Sequence, residues 1–141
     1  MASVFSRIIN GELPATFVWR DDRCVGFLSI NPLRPGHTLV VPRREVAHWI
    51  DVDADEWAHL TAVAQTIGKA LDAAYSPAKV GLMLAGLEVA HTHLHVVPID
   101  GMHDLDFANA DPDPDPSVLE AAADRVRDAL REVGAEGVAD R

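Results

Sequence analysis

The sequence predicts an α+β domain: a five-stranded, mainly antiparallel sheet with two to three helices. Three observations carry that expectation. Five short runs rich in Val, Phe and Leu are bounded by Pro, Gly, Asn or Asp, the punctuation of strands. Two stretches repeat apolar residues at helical spacing, beginning at 53 and at 117. The last two strands are joined by Gly86-Leu87-Glu88, short enough for a hairpin, so they should pair antiparallel.

Taken in order, Ser3 to Ile9 predicts a short helix closed by Asn10-Gly11, a helix stop. Thr16 to Arg20 and Cys24 to Leu28 are strands about a tight turn at Asp21-Asp22. Residues 31–36 read Asn-Pro-Leu-Arg-Pro-Gly, a loop by its breakers. His37 to Val41 is a third strand, ended by Pro42. Asp53 with Glu56 resembles a capping box. After it Trp57, Leu60, Val63, Ala64, Ile67 and Leu71 make one apolar helix face running to about Tyr75. Val80 to Ala85 and Val89 to Pro98 are the fourth and fifth strands. Ser117 with Glu120 opens a last helix to about Val133.

With 141 residues there is room for one domain with a real core. No run approaches the roughly 18 apolar residues of a membrane span, so no membrane partner is expected. The start of the chain lacks a charged segment followed by an apolar one, and Cys24 stands alone; both fit a reducing, cytoplasmic location. A net charge of −10 argues against nucleic acid as partner. Asp111, Asp113 and Asp115 alternate with Pro112, Pro114 and Pro116, which predicts an extended, solvated spacer over 111–116.

Residues 91–98 read His-Thr-His-Leu-His-Val-Val-Pro. Period-two spacing on a strand sets His91, His93 and His95 on one face and Thr92, Leu94 and Val96 on the other. Each imidazole has two polar nitrogens that need partners when buried, so a row of three points to a site for an oxygen-rich anion. A neutral imidazole is a competent nucleophile toward phosphorus and leaves again readily. Its neighbours can donate to phosphoryl oxygens or protonate a leaving group. Metal is the rival. Two neighbouring imidazoles can converge on one ion, but His91 and His95 stand about 13 Å apart at their Cα atoms by the strand rise. A His-x-His metal enzyme would need its third ligand elsewhere. His37, after a Pro-Gly turn at a strand start, is placed to face a cleft.

The run from His91 to Val97 resembles the signature of the histidine triad (HIT) superfamily, His-φ-His-φ-His-φ-φ with φ apolar, Thr92 being a mild departure. Residues 30–42, Ile-Asn-Pro-Leu-Arg-Pro-Gly-His-Thr-Leu-Val-Val-Pro, resemble a second block of that family, and residues 4–14 its opening. The resemblance implies a HIT domain over 1–110, with the 111–116 spacer and a C-terminal helix and tail over 117–141 outside it. It implies a homodimer with a ten-stranded sheet, no cofactor, and a purine nucleotide or nucleotide conjugate attacked at its α-phosphate. By position, His93 is the nucleophile that becomes a nucleotidyl-histidine, His91 orients it, and His95 and His37 contact phosphate oxygens. Phe5, Ile8, Ser29, Ile30 and Leu39 fall where relatives hold the nucleoside.

Three departures bear on function. Ser29 stands where many relatives carry an acidic residue toward the ribose. Glu88 stands three residues before His91, among the phosphate-contacting positions, where a small hydroxyl is usual. A carboxylate there opposes phosphate by Coulomb repulsion, which keeps open a nucleotide-binding regulatory module with little catalysis. Some relatives hold zinc through two early cysteines, a histidine and the first triad histidine; here the first three are Ser3, Ser6 and Glu45, so no metal is expected.

Overall fold

The computed structural model describes residues 2–141. Its strands are β1 (Phe17–Arg20), β2 (Cys24–Leu28), β3 (Thr38–Pro42), β4 (Lys79–Met83) and β5 (Leu94–Ile99). They form one sheet in the order β1-β2-β3-β5-β4, every neighbouring pair antiparallel. Three α-helices accompany it: α1 (Val4–Ile9), α2 (Ala54–Tyr75) and α3 (Pro116–Glu132). Short 3-10 turns lie at Trp49–Asp51, Met102–Leu105 and Phe107–Asn109. The α+β, five-stranded antiparallel expectation is met.

The central strands are covered on both faces, so their sequences read as nearly unbroken apolar runs. Val18, Val40, Leu94 and Val96 point to the face packed by Leu60, Ile67 and Leu71 of α2 and Val126 and Leu130 of α3. Val25, Phe27, Leu39 and Val41 point to the other face and meet Phe5 of α1. Period-two alternation along β3 thus serves two cores. Arg127 of α3 is buried, its Nε donating to the Phe17 carbonyl at 2.9 Å and its Nη1 to Glu120 and Asp124. The last helix therefore belongs to the same core as the sheet.

Several boundaries differ from the sequence expectation. β5 begins at Leu94, not Val89, and β4 ends at Met83. His91 and Thr92 turn aside: the His91 N–H donates to the Val89 carbonyl at 2.8 Å, and both the N–H and the hydroxyl of Thr92 donate to Val46 at 2.8 Å. The β4–β5 pairing is antiparallel, but the connection is a ten-residue loop over 84–93, not a three-residue turn. His37 lies just before β3. Asp53 precedes α2 but makes no side-chain cap; its carboxylate pairs with Arg44 at 3.0 Å. Asp115, not Ser117, caps α3, with Pro116 at the first turn, and Glu120 goes to Arg127 instead. The Asp-Pro segment is largely exposed yet docked: Asn31 Nδ2 donates to the carbonyls of Asp111 and Pro112 at 3.1 and 3.2 Å.

Candidate functional site

A cavity of about 630 Å³ opens between α1, the β2 and β3 ends, and the loop preceding β5. Phe5 and Ile8 come from α1, which Ser3 starts by accepting the Ser6 N–H at 3.0 Å, a cap worth about 1 kcal/mol. Ser29, Ile30 and Leu39 come from the β2 and β3 ends; His93, His95 and Glu88 complete its polar edge. Five expected nucleoside contacts and two of the three row histidines are thus brought together. Phe107, Ala110 and Pro112 also line it and were not foreseen. The irregular segment carrying them has no periodicity to read, although Phe107 stacks edge-on against His95 with ring centroids 5.2 Å apart.

His37 and His91 do not line the cavity; they stand behind its histidines. The Leu33 N–H donates to His37 Nδ1 at 3.0 Å. That nitrogen is therefore the acceptor, and the proton of neutral His37 sits on Nε2. Nε2–H donates to His95 Nδ1 at 2.9 Å, so His95 keeps its proton on Nε2 for the cavity. The geometry does not offer the expected contact of His37 with phosphate: both its nitrogens are taken within the protein, and it touches His95 instead of the cavity.

A second chain ends on His93. His91 Nε2–H donates to the Pro42 carbonyl at 2.7 Å, leaving Nδ1 to accept from the Ser3 hydroxyl at 2.7 Å. The His91 carbonyl accepts His93 Nδ1–H at 2.7 Å. His93 therefore turns the lone pair of Nε2 outward. Its ring lies 5.0 Å from that of His95 and 4.9 Å from that of Phe5. One cavity thus presents an unprotonated nitrogen beside an N–H donor.

Burial keeps these rings neutral. It pushes His37 down to about 3 and His95 down to about 4, each assisted by a neighbouring imidazole. His91 and His93 are lowered by burial as well, against the pull of the carbonyls each donates to.

The residues at the zinc positions do assemble, but as a hydrogen-bonded cluster. Glu45 Oε1 accepts the Ser3 N–H at 2.6 Å and the Ser6 hydroxyl at 2.8 Å, and these bonds hold its carboxyl at about 2. Of these groups only the Glu45 carboxylate is an ordinary zinc donor with a lone pair to spare; two hydroxyls and an imidazole already engaged at both nitrogens do not complete the four-ligand set of a structural zinc. Among the described residues, Asp21, Cys24 and His59 also gather ligand-type atoms within 4.8 Å of one another. Burial there works against the Asp21 carboxylate, but donors from Trp19, Arg23, Cys24 and His59 outweigh it and lower it to about 2. Burial also pushes the Cys24 thiol far up. A saturated carboxylate and a protonated thiol make this a knot between the β1–β2 turn and α2.

The model of the HIT domain family matches residues 10–102. A HIT-like protein of Borreliella burgdorferi is 38% identical over 102 residues, covering 67% of this chain and 73% of its own length. The adenylylsulfatase HINT3 of Arabidopsis thaliana is 30% identical over 100 residues, covering 67% of this chain and 51% of its own. The crystal structure of a Zn-bound histidine triad family protein from Mycobacterium smegmatis superposes with a TM-score of 0.81 at 31% identity, covering 95% of this chain and 96% of that one.

Proposed function

The chain belongs to the HIT family, and from that membership we propose that it is a nucleotide-binding hydrolase acting on the α-phosphate of a purine nucleotide conjugate. The observation that carries the reading is the pairing of His93 Nε2, unprotonated, with the donor His95 Nε2–H on one cavity wall. The apolar slot of Phe5, Ile8 and Leu39 suits a flat base, which buries apolar area well.

In the first step His93 Nε2 forms a bond to phosphorus. The bond to the leaving group breaks, and the leaving group departs with its electron pair and takes a proton from solvent. His95 donates to a phosphoryl oxygen, and the His91 carbonyl meets the positive charge that develops on the His93 ring. In the second step water adds to phosphorus, releases a proton to solvent, and the nitrogen–phosphorus bond breaks. The mononucleotide is freed and His93 regains its lone pair. No cofactor enters either step.

A homodimer is part of the reading. The free edge of β1 is covered by the chain's own end: Arg20 N–H donates to Gly137, and Ala139 N–H to Val18. The β4 edge has no such cover among the described residues, and Leu82 on it is exposed beside a groove along α2. A second β4 would satisfy that edge.

The test is mass spectrometry of intact protein quenched during turnover of an adenosine phosphoramidate. A nucleotidyl adduct on His93, with turnover lost in His93→Ala while the fold persists, is the expected result. Full activity of His93→Ala eliminates the mechanism. Tight binding of adenosine monophosphate without turnover selects the regulatory module, the reading that Glu88 favours.

A further inference from the structure

Glu88 is the formally charged side chain among the residues lining the cavity; no lysine or arginine joins them. The arginine of the neighbouring loop is committed elsewhere, Arg34 to Asp100 at 3.1 Å and to Asp104 at 2.9 Å. Their bonding leaves the site histidines neutral, so the resting cavity carries a negative charge. The whole chain adds to it, at −10.

The position of that carboxylate matters. Phe5 and Leu39 are buried in the cavity wall, Phe5 edge-on to His93 with ring centroids 4.9 Å apart and Leu39 paired with His95 across the sheet. Glu88 is exposed on the rim of the cavity, near enough to His93 for its charge to act on that ring. With the base on the apolar wall of Phe5, Ile8 and Leu39 and the phosphorus at His93, the leaving group lies toward solvent, within reach of the charge of the exposed Glu88. We infer that Glu88 selects that leaving group by charge, admitting neutral and ammonium-bearing groups and rejecting those with further phosphates.

The physical ground is a sum of charges. One negative charge on the α-phosphoryl group is met by His95 Nε2–H. Each additional phosphate brings negative charge with no cation to receive it and a carboxylate nearby. An ammonium group on the leaving amine is attracted instead. For one unit charge at about 4 Å in water, the discrimination is about fivefold, and it grows with each added charge. Phe107, half exposed on the same cavity, gives the leaving group an uncharged surface.

The inference rests on the proposed hydrolase reading, and the experiment separates the two. The full chain is assayed with two probes: an adenosine 5′-phosphoramidate whose amine carries a second, ammonium group, and diadenosine triphosphate. The wild type should favour the phosphoramidate in kcat/KM. Glu88→Gln should move the ratio toward the triphosphate by about fivefold or more, and Glu88→Asp should retain the wild-type preference. Added salt should compress the wild-type ratio more than that of Glu88→Gln, which keeps only the contribution of the rest of the chain, a difference that mere structural support would not produce. An unchanged ratio in Glu88→Gln, or a wild type that favours the triphosphate, overturns the role of Glu88. Turnover of neither probe by a protein that still binds adenosine monophosphate overturns the reaction itself, and the inference with it.

Discussion

His37 Nε2 lies 2.9 Å from His95 Nδ1, with the Leu33 amide closing the far side of His37. A single backbone N–H thereby decides which nitrogen of His95 carries the proton, making the one toward the cavity a donor. The relationship explains why an imidazole 1% exposed sits at the start of β3: it passes a tautomer forward.

Replacing that link should impair chemistry more than binding. His37→Phe keeps most of the volume and removes the N–H that sets the His95 tautomer. Its kcat should fall about tenfold or more, in the range seen when a partner orienting a ligating or catalytic ring is lost, with a smaller change in KM. Steady-state kinetics decide it; equal kcat in the variant would show that His95 needs no such partner.

The same burial makes stability depend on pH. His37 at about 3 and His95 at about 4 lie below the ordinary imidazole value of 6.5. The unfolded chain takes up protons at these groups as pH falls below 6.5, while the folded chain resists until pH 4 and then 3. Unfolded protein binds more protons across that window, so stability rises with pH there and is fully present above 6.5. Melting temperature at high salt, where the repulsion among the acidic side chains is screened, should be level from pH 7 to 8 and fall from 6.5 toward 4. A constant or rising value over that fall would refute the neutral-histidine assignment.

Ser3 joins helix start to site. Its hydroxyl caps α1 and also meets His91 Nδ1. Ser3→Ala should lose the cap, about 1 kcal/mol, and leave His91 Nδ1 only the Ser6 hydroxyl at 3.5 Å, about 1 kcal/mol more. Chemical denaturation measures the sum. The same cluster predicts less than stoichiometric zinc in protein purified without added metal; elemental analysis near one zinc per chain would contradict it.

Much of this was legible in the residues. Strands were readable because Val, Phe and Leu runs end at Pro, Gly and Asp, and α2 because its apolar face repeats without a break. Phe5, Ile8, Leu39, His93 and His95 were found because family blocks align with them. The strand start at Val89 failed since Thr92 trades ladder bonds for Val46, a partner 46 residues away that spacing cannot reveal. Phe107 and the docking of Asp111 and Pro112 on Asn31 failed for the same reason. The inward turn of His37 was hidden because it depends on an amide in the preceding loop.

The two sheet edges make the last prediction. Gly137 lets the terminal segment lie on Trp19; a Cβ there would stand 2.4 Å from the indole carbons, too close for any real contact. Gly137→Ala must therefore push the segment off the β1 edge. It should cost about 1–3 kcal/mol, as overpacking does, and uncover backbone donors that the tail now satisfies. The β4 edge should respond in the opposite way. If a second copy pairs there, Leu82→Arg puts a charge on each side of the two-fold contact and should yield a monomer with an intact fold. Sedimentation of the wild type as a dimer, of Gly137→Ala as a dimer with lower melting temperature, and of Leu82→Arg as a monomer is the expected pattern. A wild type that stays monomeric at high concentration would leave β4 an open edge and remove the ten-stranded sheet.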